Sequence, residues 1–138
     1  MNKKRIFLKK VLFGGSALLS SHALFASKKE IAAPKHGPFV HMVYIWLKEP
    51  DNEAHRKTFI KNTKSFLKEI DEIVSWYVGT PANTPRDVVD NSYSFSILVT
   101  FKNRADQDIY QEHEAHVDFV EKTSMLWNRV QVYDSIRV

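Results

Sequence analysis

The stretch Phe39-Val40-His41-Met42-Val43-Tyr44-Ile45-Trp46-Leu47 constrains this chain more than any other. Its length and its β-branched and aromatic content make it a strand. A strand sends alternate side chains to opposite faces. Val40, Met42, Tyr44 and Trp46 fall on one face, and Val43, Ile45 and Leu47 on the other. Both faces are therefore apolar. Each such side chain left in water forgoes roughly 1.5–3 kcal/mol. One layer of helices can cover one face, so the other predicts a contact surface.

The remaining pattern supplies the helices and further strands. Pro50-Asp51-Asn52-Glu53 is a helix start with Asp51 or Asn52 as N-cap. Phe59, Thr63, Phe66, Leu67 and Ile70 then recur at helical spacing over about 52–72, with Lys57, Lys61, Lys64 and Lys68 on the wet side. A short strand is expected over Ile73–Val78, followed by a loop rich in Pro, Thr and Asn. From Ser92 to Phe101 the period is two: Tyr93, Phe95, Ile97, Val99 and Phe101 alternate with Ser94, Ser96, Leu98 and Thr100. Asn103 can cap a second helical stretch that runs towards Trp127, with a break near Glu114. Val130, Val132 and Ile136 belong to a last strand. The order β-α-β-β-α-β is that of an α+β, ferredoxin-like unit: a four-stranded antiparallel sheet with both helices on one face. The uncovered face predicts a C2 homodimer, partly polar where Ser94, Ser96 and Thr100 lie.

Charge separates the N-terminal segment from this domain. Residues 1–29 hold seven of the 20 basic residues and no acid, which leaves 13 bases against 16 acids in the rest. The domain thus has no broad field for phosphate backbones, and nucleic-acid binding is not expected. Residues 1–26 read as an export signal peptide: a basic start, the apolar run Val11–Leu19, and small residues suited to cleavage after Ala23 or Ala26. Lys4-Arg5-Ile6-Phe7-Leu8-Lys9 resembles a twin-arginine signal with lysine in the first arginine's place. The apolar run is short for ~30 Å of hydrocarbon, so no membrane anchor is expected after cleavage, and the protein should be periplasmic or secreted. Residues 27–37 form a flexible lead-in, and 38–138 the folded domain. The absence of cysteine removes disulfides, thiol nucleophiles and Cys-ligated metals from consideration.

With these elements placed, the chain resembles the stress-responsive dimeric α/β-barrel family, the Dabb domain. The resemblance rests on Phe39–Val43, on Tyr93–Phe101 and on Tyr110-Gln111-Glu112-His113-Glu114-Ala115-His116-Val117. Trp127 and Val132-Tyr133-Asp134 follow at suitable distances, so it spans about 38–136. It implies two ferredoxin-like protomers that pair their sheets into a dimeric α/β barrel. One branch of the family is a plant polyketide cyclase, which closes its substrate by an intramolecular aldol reaction without a cofactor. Its working positions correspond to His41, Tyr110 and His116, with His113 beside them. This chain carries Phe95 where that branch has a further histidine, and Glu114 where it has proline, so the cyclase activity itself is not implied.

Read without the family, His113 and His116 lie three apart, and Tyr110 three before His113, so on a continuous helix they share a face. His116 as general base and Tyr110 as hydrogen-bond donor, with His41 helping, suit aldol or isomerisation chemistry on a keto compound. The same residues could instead form a buried cluster that ties helix to sheet, or hold a ligand without turnover. Such a ligand would be small and apolar, in a pocket between helices and sheet where His113, Phe95 and Trp127 contribute. Tyr44, Trp46, Phe66, Trp76, Tyr77 and Phe101 are further aromatic candidates for that pocket or for the core. No metal is expected, because a zinc helix needs its histidines four apart, and no cofactor is expected either.

Overall fold

The computed structural model describes residues 36–138. The proposed leader and the lead-in as far as residue 35 lie outside the described residues. Strand β1 (Phe39–Leu47) is followed by helix α1 (Glu53–Glu69), strands β2 (Ser75–Gly79) and β3 (Phe95–Phe101), helices α2 (Arg104–Glu112) and α3 (Glu114–Thr123), a single 3-10 turn (Ser124–Leu126) and strand β4 (Trp127–Ile136). The sheet order is β2-β3-β1-β4 with every neighbouring pair antiparallel. This is the ferredoxin-like order expected, with the second helix divided in two. Among the described residues no helix is long and apolar enough to cross a membrane.

The caps explain where the helices begin. Asn52 closes the α1 N-terminus, its Oδ1 accepting from Ala54 N at 3.0 Å and His55 N at 3.2 Å. Asn103 does the same for α2 through Asp106 N at 2.9 Å. The division between α2 and α3 falls on His113, whose backbone is extended (φ −62°, ψ 134°). Its N–H closes α2 onto the Tyr110 carbonyl, and its Nδ1 accepts from Ala115 N at 3.1 Å to open α3. One histidine thus serves as the C-cap of one helix and the N-cap of the next.

Helices cover the face of the sheet that carries Val43, Ile45, Leu47, Ile97 and Val99. Phe59 of α1 stacks on Phe95 with centroids 4.9 Å apart, and Phe66 stacks on Phe119 of α3 at 4.4 Å. The other face keeps Val40, Met42, Tyr44 and Trp46 only half-buried. Cross-strand register adds Ser135, Tyr133, Gln131 and Arg129 from β4, and Thr100, Leu98 and Ser96 from β3. Among the described residues no helix lies over it. The period-two pattern fails at its start: Tyr93 sits before β3 and packs its ring against Tyr44 and Trp46 on the open face, while Phe95 faces the helices.

The residues just before β1 pack against β3. Gly37 is buried, and its N–H donates to Thr100 Oγ1 at 3.1 Å. A Cβ there would stand 2.0 Å from the Phe101 carbonyl oxygen, so only glycine lets the two backbones approach this closely.

Candidate functional site

The site is assembled where β1 and β4 pair and α2 gives way to α3. His41 faces the helices from β1 and is 4% exposed. Its register partner on β4 is Asp134, whose Oδ1 lies 2.6 Å from His41 Nδ1. A carboxylate can only accept there, so Nδ1 carries the hydrogen and the pair is a charge-assisted contact. The last turn of α2 lays Tyr110 over His41, with ring centroids 5.6 Å apart. The first turn of α3 brings His116 to 4.6 Å from the Tyr110 ring. Phe66 and Phe101 close the cluster behind Tyr110 at 6.0 and 5.1 Å.

Burial sets the protonation of the two central groups. It holds the Tyr110 hydroxyl protonated to higher pH than usual, and the nearby Asp134 carboxylate pushes the same way. Burial lowers His116 below an ordinary imidazole, against the raising effect of its bond to the Gln111 carbonyl; His41 and His113 lower it further. That bond, Nδ1 to carbonyl oxygen at 3.1 Å, also fixes the tautomer. A carbonyl cannot donate, so Nδ1 bears the hydrogen and Nε2 keeps its lone pair. At neutral pH the cluster therefore offers a neutral acceptor on His116 beside a neutral donor on Tyr110.

Three of the residues expected at the site, His41, Tyr110 and His116, do come together. They do so by a different route from the one anticipated. No continuous helix face joins Tyr110, His113 and His116; the kink at His113 turns the α3 histidine back onto the α2 tyrosine. His113 itself spends its Nδ1 on the Ala115 cap. Phe95 and Trp127 are not brought to the cluster. Phe95 lies opposite Ile45, four residues or roughly 13 Å along β1 from His41. It is clasped there between Phe59 and the Arg56 guanidinium, which stands 4.7 Å from its ring. Trp127 lies opposite Leu47, farther along the same strand, with its indole N 3.5 Å from Thr123 Oγ1. Tyr44, Trp46 and Tyr77 are on the open face and cannot line a pocket under the helices.

Asp134 is a member of this cluster that the sequence reading did not single out as a site residue. Nothing local marks it; only the β1–β4 register sets it opposite His41. Its side chain is 45% exposed and marks the open side of the cluster. Val132 and Ile136 flank it on the same face of β4, at 41% and 67% exposed, and leave an apolar strip beside the polar groups.

Comparison with known proteins agrees with this geometry. Residues 39–137 match the family described as the stress responsive A/B barrel domain. A Dabb family protein with a ferredoxin-like fold from Mesorhizobium loti is 22% identical, with a TM-score of 0.61 over 72% of this chain and 96% of that one. A dimeric ferredoxin-like protein of unknown function from Thermobifida fusca is 11% identical, with a TM-score of 0.61 over 71% of this chain and 89% of its own. Hydroxynitrile lyase from Passiflora edulis is 15% identical, with a TM-score of 0.63 over 74% and 94%. At these identities the likeness is one of fold. No curated protein sequence matches the chain.

Proposed function

Since this chain belongs to the stress responsive A/B barrel domain family, we propose that its domain binds a small, largely apolar carbonyl or hydroxyl compound beside Tyr110 and His116, and moves a proton on it without a cofactor. One observation carries the reading: His116 presents an unprotonated Nε2 while its ring lies 4.6 Å from that of a tyrosine held neutral by burial. The apolar part of the ligand would rest on Val132 and Ile136, and its polar end would reach the cluster past Asp134. In a lyase step, His116 Nε2 takes the hydroxyl proton of a cyanohydrin or a β-hydroxy ketone. The carbonyl forms as the adjacent C–C bond breaks, and the electron pair leaves with cyanide or the enolate. Tyr110 donates to the oxygen that gathers charge, and the imidazolium returns the proton. His41, oriented by Asp134, positions Tyr110 from below.

The test is turnover of mandelonitrile and of simple β-hydroxy ketones by the purified domain. His116→Gln should lower the rate at least about a hundredfold, and Tyr110→Phe should lower it as well, with the melting temperature of His116→Gln nearly unchanged. Binding and turnover both absent, with a large loss of stability in either variant, would make the cluster a structural tie between helix and sheet and overturn the proposal.

Two further parts of the reading rest on other observations. Val40, Met42 and Leu98 need cover on the open face, and the Thermobifida fusca neighbour is dimeric, which supports a homodimer paired through these faces. The basic and apolar leader supports export; the mature protein recovered from its native host should then start at Leu24 or Ser27 by intact mass. A full-length chain retained in the cytoplasm would refute this.

A further inference from the structure

Helices α2 and α3 meet without a loop: Glu112 ends one, Glu114 begins the other, and a single residue makes the turn. Three polar groups of that residue, His113, are used at the junction. Its N–H donates to the Tyr110 carbonyl at 3.3 Å. Its own carbonyl accepts from the His116 N–H at 2.9 Å and the Val117 N–H at 3.0 Å. Its Nδ1 accepts from the Ala115 N–H at 3.1 Å. One residue is thus bonded to the backbones of both Tyr110 and His116.

The first N–H groups of a helix have no partner inside it, and an unanswered one lets the turn fray. The usual caps are Ser, Thr, Asp and Asn, and imidazole is not among them. Nδ1 stands as many bonds from the backbone as an asparagine Oδ1, so it reaches the same amide. As an acceptor it carries no hydrogen, which makes the ring the neutral Nε2–H tautomer. What the cap controls is local. Further along α3, the buried Phe119 is stacked on Phe66 and anchors the body of the helix. His116 lies ahead of that anchor, in the turn that the cap closes. Its own side chain adds one tie across the break, from Nδ1 to the Gln111 carbonyl.

We propose that His113 is a positioning residue: by capping α3 it aims the His116 ring at Tyr110, and it takes no part in proton transfer itself. The inference rests on His116 being the base, as proposed above, and gives the neighbouring histidine a different task. The acceptor is what matters. A side chain with an acceptor at that distance serves, and one without it fails.

Alanine and asparagine at position 113 separate the cap from the ring. Both remove the imidazole and its influence on His116, and only asparagine restores the acceptor. The other groups facing His116 stay in place: His41 on β1, paired with Asp134 on β4, Tyr110 on α2, and the uncharged Phe66 on α1. In the unaltered domain the His116 and Tyr110 rings, 4.6 Å apart, should show nuclear Overhauser contacts. His113→Ala should lose them and let the His116 titration rise towards 6.5 as its burial relaxes. His113→Asn should keep the contacts and a titration below 6.5. Where a substrate is turned over, kcat should fall about tenfold or more in His113→Ala with KM little changed, and recover in His113→Asn. Contacts between Phe66 and Phe119 check that the body of α3 is folded in each variant. If His113→Ala does not fold, His113→Gln, with its acceptor one bond farther out, replaces it and should behave as the uncapped variant. Ring contacts that persist without the acceptor, or that His113→Asn fails to restore, would overturn the assignment. Absence of turnover in the unaltered domain would count against the catalytic reading alone, since the ring contacts decide the role of His113 without it.

Discussion

The two faces of the sheet are built from the same four strands, yet they solve different problems. Under the helices, Phe59, Phe66, Ile97, Val99 and Phe101 are excluded from water, and the buried His41 is answered by Asp134. On the open face, tyrosine, tryptophan, serine, threonine and arginine mix, and Tyr77 and Tyr133 stand 63% and 55% exposed. A tyrosine ring supplies apolar area while its hydroxyl tolerates water, so such a face is stable both alone and against a partner. A face made of Phe59-like residues would not be. The contrast separates a face that folds the protomer from one that the protomer itself leaves half-exposed.

The largest expected difference lies in stability. Phe59→Ala, at a fully buried ring stacked on Phe95, should cost about 3–5 kcal/mol in chemical denaturation. Met42→Lys, on the open face, should cost far less within the protomer but should dissociate the dimer in light scattering. A dimer that survives Met42→Lys would break the comparison by showing that the open face is not where two copies meet.

A smaller effect concerns pH. The folded domain resists protonation of His116, whereas an unfolded chain takes up that proton near 6.5. Stability should therefore fall as pH drops below about 6.5, and His116→Gln should flatten that slope. Tyr110 is displaced the other way: an unfolded chain loses its proton near 10.0 and the folded one resists, so stability should also fall above that pH. Any turnover should stay flat between these limits, because base and donor both remain neutral. A rate that halves near pH 6.5 or above would mean that His116 is not desolvated during the reaction.

Much of the protomer was legible in the residues. The strand at Phe39–Leu47, the amphipathic α1 and the caps at Asn52 and Asn103 follow from local spacing, and they are observed within a few residues. The failures have a common origin. Tyr93 obeys the alternation of its neighbours on paper, but the chain bends at Ser94, whose N–H donates to the Ile45 carbonyl and whose Oγ accepts from Leu47 N. Phe95 and Trp127 share the helix-covered side with His41, but periodicity reports a face and not a distance along it. The break allowed near Glu114 falls at His113, whose imidazole bonds to the backbone and ends that helix, so the single helix face expected to join Tyr110, His113 and His116 does not exist.

Composition and periodicity alone settled the kinds of element, their order and the need to cover two apolar faces, because these depend on which side chains follow one another along a strand or a helix. Tertiary structure decided the rest: the His41–Asp134 pair set by strand register and the return of His116 onto Tyr110 across the kink. The His41–Asp134 pair joins residues tens of positions apart in the chain. Their geometry is fixed when backbones pair and side chains exclude water, and no local pattern encodes it.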